Sequence, residues 1–532
     1  MRSFLNAIIR KNDQGETMIF DLDIRSEKYE NDRYWEFCVG SCHAATALRA
    51  DYRAQLEQCR RELGFRYVRF HGLFDDDMSV MTKKFDGSFK LSFANIDNIF
   101  DFLLDIGMKP FVELSFMPSC LKTGEQTIFH YKGVTTPPSD PLAWEFLITS
   151  FVRHITERYG RDEVRRWFFE VWNEPNLGGE GGMKEGGFWT GSMADYYELY
   201  AVTAKAVKSV DEFYRVGGPA TSNNAHISDM REYCEKNGVP LDFISTHHYP
   251  TDVVLGYGVE NSRNFIKEFI ETDKSDKEAL SALAKEFVTF KKTLWQKVDR
   301  GVLTQMAKRA RREAGDLPLF YTEWSSLAGF ASDGSFGASF IAKTVPDNLG
   351  IVDGYAYWTF SDIFEEDGFP ASAFSGGYGL LSIDGIPKAP YRAFQLLHKL
   401  GGQAYEKRFS EGTVDIYPFF DDTNSCVQLL CVNHNSLLHD IEEQIVEIEL
   451  NGGDFADCAP EIIRVDDEHA NALAAWEKAG RPDYLTQAQI FELKAVSELK
   501  RETLAAETEN GRLKLSVVLP AMGTALITVY LR

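Results

Sequence analysis

Between residues 34 and 400 the chain repeats one theme: a short, almost wholly apolar run, then a longer stretch whose apolar residues return at helical spacing. Apolar runs without alternation suit parallel strands covered on both faces, and the helical stretches supply the cover. The runs fall at 34–40, 66–71, 109–115, 167–173, 215–218, 242–249, 317–323 and 353–358. Helical stripes separate them: Leu48, Tyr52, Leu56, Cys59 and Leu63, then 96–106, 142–159, 194–210, 226–237, about 277–314, 338–348 and 391–400. Eight strand–helix units are the count of a (β/α)8 TIM barrel with right-handed crossovers.

Past residue 401 the period changes. Val414 with Ile416, then 426–432, 444–450, 513–519 and 524–531, read as strands separated by turns. They predict a C-terminal antiparallel β-sandwich module, with one amphipathic helix carrying Ile490, Leu493, Val496 and Leu499. The stretch 18–24 alternates Phe20, Leu22 and Ile24 with Asp21 and Asp23, so it has one wet face and is assigned to the same module. The predicted division is a barrel over 30–400 and an accessory sandwich from 1–29 and 401–532, with a helical insert near 466–505.

Composition narrows the partners. A net charge of −23 opposes nucleic acid and anionic membrane surfaces. No window approaches the ~18 apolar residues of a membrane span. The first ten residues hold too short an apolar core for a secretory signal, and the eight Cys without CxxC spacing read as reduced thiols. A cytoplasmic protein is expected. Cys38 and Cys42 come nearest to a metal-ligand pair; no second pair follows in the barrel and no His-x-x-x-His occurs, so neither metal nor other cofactor is expected.

The chemistry centres on Phe169-Glu170-Val171-Trp172-Asn173-Glu174-Pro175-Asn176. Pro175 ends the run and leaves Asn173 and Glu174 side by side at the C-terminal end of a strand, where barrel enzymes hold their reactive groups. The seventh run ends the same way at Glu323. Two carboxylates on two strand ends are the minimum for acid/base or nucleophilic work on a glycosidic bond. Asn173 adds a donor for a sugar hydroxyl. His71, His247, His248 and Tyr249 also sit at run ends, although a lone histidine there is more often part of core or loop. Trp358 is either an aromatic floor under a sugar ring or a core residue at the barrel top. Glu365 and Glu366 form an acidic pair that is either plainly solvated or able to accept several hydroxyl protons from a polyol.

These motifs together resemble glycoside hydrolase family 39, the β-xylosidases and α-L-iduronidases. That family lies in a clan of retaining enzymes whose acid/base follows an Asn at the end of strand four and whose nucleophile ends strand seven. The likeness runs through Phe37-Cys38-Val39-Gly40-Ser41, Phe70-His71-Gly72-Leu73, Asp76-Asp77, Gly217-Gly218-Pro219-Ala220 and Trp358-Thr359-Phe360-Ser361-Asp362. Ile386-Pro387-Lys388-Ala389-Pro390 and Asp466-Asp467-Glu468-His469 resemble the bacterial β-xylosidase branch. The resemblance implies Glu174 as acid/base and Glu323 as nucleophile. It implies His71, Gly72, Asn173, His247, Tyr249, Trp358, Glu365 and Glu366 as residues that hold the sugar. Two stretches depart from the family pattern. Trp324-Ser325-Ser326-Leu327-Ala328-Gly329-Phe330 replaces an Asn- and Tyr-containing loop, and 251–316 is longer than usual. Both border the leaving-group side.

The expected activity is that of a retaining exo-glycosidase, a xylan 1,4-β-xylosidase releasing xylose from the non-reducing ends of xylo-oligosaccharides by double displacement. Rival readings keep the fold and mechanism with an α-L-arabinoside, β-galactoside or β-glucoside. Others make the chain a catalytically silent carbohydrate-binding protein or a metal-dependent enzyme on the same barrel. An iduronide is disfavoured, because the loops after Tyr249 and Trp358 offer Asp252, Asp362, Glu365, Glu366 and Asp367 but no cation for a uronate. A homo-oligomer is left open.

Overall fold

The computed structural model describes residues 18–178, 187–252, 281–282, 285, 289, 292–366, 368–455 and 458–531. Among them eight parallel strands close into the expected barrel: Cys38–His43, Tyr67–His71, Lys109–Leu114, Phe168–Val171, Arg215–Thr221, Phe243–His248, Leu319–Trp324 and Gly354–Tyr357, barrel strands one to eight. The first run is divided differently from its apolar pattern. Tyr34–Glu36 is a 3-10 turn, and strand one begins only at Cys38. Tyr34 and Trp35 pack outside the sheet, where the Tyr34 hydroxyl donates to the carbonyl of Val345 at 2.8 Å. Helix Ala50–Leu63 likewise leaves out Leu48, which lies in a preceding 3-10 stretch and is exposed. Of the helical region expected about 277–314, helix Val302–Ala314 is described; most of its earlier part lies outside the described residues, as do Gly179, Gly181, Gly182 and Asp367.

Strand geometry sends alternate residues into the barrel. At its N-terminal end Phe111, Phe168, Phe243 and Phe320 meet Phe37, which stacks on Phe320 at 4.8 Å. This plug seals the floor, each buried ring stabilising by roughly 1.5–3 kcal/mol. Two residues further along, strands three, four and seven place Glu113, Glu170 and Thr322 inside, and strand two contributes Arg69. The barrel is therefore apolar at the bottom and ionic in the middle. That ionic layer carries the site.

Two further sheets pack face to face. One joins Met18–Asp23, Gln444–Asn451, Arg512–Leu519 and Ala506–Glu509, with Met18–Asp23 running parallel to Gln444–Asn451. The larger contains Val414–Asp421, Cys426–Asn433, Thr524–Tyr530 and Glu461–Val465, paired antiparallel. Strand Cys426–Asn433 is buried along its whole length. Its Val427, Leu429 and Cys431 face Leu22 and Ile448 in the sandwich core, whereas Leu430 and Val432 join the barrel core. The larger sheet is thus shared between the two cores.

The helical part holds two helices, Ala472–Lys478 and Gln487–Val496, where the sequence pattern marked one. Of the marked stripe Leu493 is buried, Val496 is exposed and Leu499 lies beyond the helix. The pair buries Ala472, Leu473, Trp476 and Leu493 in one small cluster with Ala373, Phe374 and Ile386. Trp476 meets Phe330 and Phe374, from the loops after strands seven and eight, at ring distances of 6.1 and 5.4 Å. Among the described residues no helix is long and apolar enough to cross a membrane.

Candidate active site

Strand four ends at Val171, and the chain turns sharply beyond it. Trp172 and Glu174 hold φ values of 71° and 41°, conformations that side-chain-bearing residues adopt at a cost and that concentrate at functional sites. The amide of Glu174 is pinned to the carbonyl of Ala220 at 2.9 Å, which aims its carboxyl across the barrel mouth. Strand seven reaches the same place by a different device. Its register with strand six slips between Thr246 and His247, so consecutive residues Thr322 and Glu323 both serve the interior. One carboxylate oxygen of Glu174 and one of Glu323 lie within 4.8 Å of each other.

Arg69 is the cation beneath them. Fully buried, it donates to Glu170 at 2.5 Å, Glu323 at 2.9 Å and the Asn173 side-chain oxygen Oδ1 at 2.9 Å, and pairs with Glu113 at 2.8 Å. Burial opposes its charge, and the three carboxylates outweigh burial, so its pKa is pushed up. Burial also pushes Glu113 up, but Arg69 and His71 prevail and hold it below the usual carboxylate range. Glu323 receives a second hydrogen bond at 2.8 Å from the Tyr249 hydroxyl. Both of its oxygens are therefore held by donors. Glu174 sits otherwise. Burial, opposed by His71, Arg69 and a hydrogen bond from the Ser222 side chain, raises it to about 7, and His247 Nδ1 lies 2.9 Å from its Oε1. Burial holds His247 down at about 4, so the imidazole is neutral.

The remaining candidates line the mouth. His71 Nδ1 bonds Glu113 at 2.8 Å, and its ring lies 4.9 Å from that of Trp358. Gly72 contributes backbone geometry. Its φ is +68°, a Cβ there would meet Asp75 Oδ2 at 2.2 Å, and its amide is used on Ser115. Trp358 is buried with Gly40 against its ring; a Cβ on Gly40 would stand 2.5 Å from Trp358 Cε3. Glu365 is anchored on His43 at 3.2 Å, and its amide donates to Cys42 Sγ. The carbonyl of Glu366 receives the His130 amide at 2.6 Å. His248 turns away, bonding Tyr355 and stacking on Tyr321.

Sequence reasoning passed over Arg69, Glu113, Glu170, Thr322 and His43. A signal was present: Tyr67-x-Arg69, Phe111-x-Glu113, Phe168-x-Glu170 and Phe320-x-Thr322 each place a polar residue two positions after an aromatic one, on the same strand face. Glu174, His247 and Glu323 are the group among the described residues whose ligand atoms converge closely enough for a metal. The donors do not suit one. His247 Nδ1 and Glu174 are bonded to each other, and Glu323 faces a fixed guanidinium. Cys38 and Cys42 are buried thiols whose pKa values burial pushes up, away from the thiolate a metal requires.

The chain matches the model of glycosyl hydrolases family 39 over residues 20–293 and 268–514. It is 44% identical over 478 residues to a β-xylosidase from Caldicellulosiruptor saccharolyticus, covering 89% of this chain and 90% of that protein. It is 32% identical over 518 residues to a β-xylosidase from Geobacillus stearothermophilus, covering 94% and 93%. A crystal structure of a monomeric β-xylosidase from Caulobacter crescentus CB15 aligns with a TM-score of 0.76 at 30% identity, over 96% of this chain and 99% of that one. With an eight-stranded barrel and two facing carboxylates at its mouth, the chain belongs to glycosyl hydrolases family 39.

Proposed function

We propose that this glycoside hydrolase is a retaining β-xylosidase, with Glu323 as nucleophile and Glu174 as acid/base. The observation that carries the mechanism is the approach of the two carboxylates within 4.8 Å. Retaining enzymes hold the pair ~5–5.5 Å apart, whereas inverting ones need ~6.5–9.5 Å to seat a water. The asymmetry of the pair supports the division of labour. Glu323, held by Arg69 and Tyr249, is kept as a carboxylate to attack the anomeric carbon. Glu174, raised to about 7, retains a proton to give the departing oxygen and can later take one from water. Asn173 Nδ2 is buried without a partner among the described residues, which supports a role as donor to a sugar hydroxyl. Xylose as glycone rests on the two β-xylosidase relatives, and release from non-reducing ends on the same likeness. All eight cysteines are free thiols, which supports a reducing, cytoplasmic setting.

The test is Glu174→Ala. Activated aryl xylosides, whose leaving groups need little protonation, should still form the intermediate, and azide should restore turnover and yield a β-xylosyl azide. Loss of all activity with no azide rescue would overturn the assignment.

A further inference from the structure

We propose that Thr322 and Glu170 are positioning residues that fix His247 as its Nε2–H tautomer, so that bare Nδ1 accepts the acidic hydrogen of Glu174. The inference rests on the reading of Glu174 as acid/base and adds a reason why its proton stays there.

The chain of hydrogen bonds allows one direction. Glu170 is a carboxylate bound by Arg69 at 2.5 Å, so it can only accept. Thr322 has a single hydroxyl hydrogen and donates it to Glu170 at 2.8 Å. At its 3.1 Å contact with His247 Nε2, Thr322 must therefore be the acceptor, and Nε2 must carry the hydrogen. A neutral imidazole has one N–H, which leaves Nδ1 as a lone pair. The 2.9 Å contact between Nδ1 and Glu174 Oε1 then needs a hydrogen from Glu174. The other oxygen near Nδ1, Glu323 Oε2 at 3.6 Å, is itself an acceptor already bonded by Tyr249.

A hydrogen bond made to the neutral form of an acid disfavours its ionisation. The relay thus keeps Glu174 protonated when the leaving group must be protonated. After that proton has left, the new carboxylate faces a lone pair and is a stronger base toward the water of the second step. Other charged or titratable groups face Glu174 as well: Arg69 and His71 from strand two, Glu113 from strand three, Tyr249 and Asp252 beyond strand six, and Glu323 from strand seven. Thr322→Val leaves each of these in place and removes the acceptor that holds the tautomer. His247 can then carry its hydrogen on Nδ1 and donate to ionised Glu174.

The experiment is the pH profile of kcat/KM for Thr322→Val, Thr322→Ser and wild type on an alkyl xyloside, with thermal melts as a folding control. Thr322→Val should move the alkaline limb down by about one pH unit, because its hydrogen bond now favours the charged form. Thr322→Ser, which keeps the hydroxyl, should restore the wild-type limb. A purely structural defect lowers the profile without moving the limb, and that result would overturn the proposal. Nitrogen-15 NMR of histidine-labelled wild-type enzyme, with His247 assigned by its loss in His247→Gln, reads the tautomer independently of activity. An Nδ1–H signal overturns the proposal outright. If azide rescues Glu174→Ala while the limb stays fixed, the relay fails and the acid/base assignment stands. If azide does not rescue, the assignment itself fails.

Discussion

Replacing Arg69 with Met removes the one guanidinium that answers three buried carboxylates at 2.8, 2.5 and 2.9 Å. Each pair at about 4 Å between charge centres is worth roughly 4 kcal/mol at an effective dielectric of 20. Most of that gross attraction offsets the desolvation of the arginine, so the sum is not the expected loss. Deleting one partner of a buried pair costs about 3–5 kcal/mol, and that range is the expectation here at pH 8. At ~2.1 cal/mol/K of unfolding entropy per residue, a barrel of several hundred residues would lose about 4–6 °C in Tm. The loss should depend on pH with a definite sign. In wild type Glu113 is held low, so its stabilisation is present above the unfolded-state pKa and lost only as pH falls through the lower folded value. In the variant the orphaned carboxyls are raised. They escape their penalty by binding protons at pH 5, and they lose stability as pH rises through their folded pKa values. The Tm gap should therefore widen from pH 5 to pH 8. Thermal melts at fixed scan rate across that range, beside kcat on an aryl xyloside, measure both effects. A gap under about 1 °C at pH 8, or one that does not grow with pH, would refute the idea that Arg69 neutralises this layer.

The alkaline limb of kcat/KM for a poor leaving group should fall through pH about 7 and then about tenfold per unit, as buried Glu174 ionises; a profile flat to pH 9 contradicts it. Tyr249→Phe removes the 2.8 Å bond to Glu323, a charge-assisted contact worth about 1.5–3 kcal/mol, and should lower kcat by roughly 10–150-fold with little change in Tm. Gly40→Ala should push Trp358 from its place, since the new Cβ would lie 2.5 Å from the indole. It should lower kcat/KM by about tenfold and alter tryptophan fluorescence, and unchanged kinetics would remove Trp358 from the sugar site. Glu365→Ala and Glu366→Ala should each lower kcat/KM by at least about tenfold, near 1.4 kcal/mol. Near-wild-type kinetics for both would leave the pair a solvated rim, with Glu365 serving only to hold His43.

What could be read from the chain follows a physical divide. Parallel strands covered on both faces are written as apolar runs, and Pro175 marks where one of them stops, so the barrel and the position of Glu174 are local properties. Arg69 and its carboxylates are not local. Their meaning depends on strands two, three, four and seven meeting in register across 101 and 254 residues of chain, as in the contacts with Glu170 and Glu323. His43 was hidden for the same reason, because its partners Asp77 and Glu365 come from separate loops. The Tyr34–Glu36 turn was misread because tertiary packing of two aromatic residues imitates a strand's hydrophobicity. The extra helix Ala472–Lys478 spans seven residues and buries Ala472, Leu473 and Trp476, too short a stripe to stand out by period.

The assignment of Glu323 as the attacking carboxylate can be tested by trapping. A 2-deoxy-2-fluoro-β-xyloside with a good leaving group forms the glycosyl-enzyme faster than water releases it, and peptide mass spectrometry then locates the ester. Label on the peptide containing Glu323, absent from Glu323→Ala, is the expected result. Label on Glu174, or no covalent adduct together with an α-anomer as the first product, would contradict it.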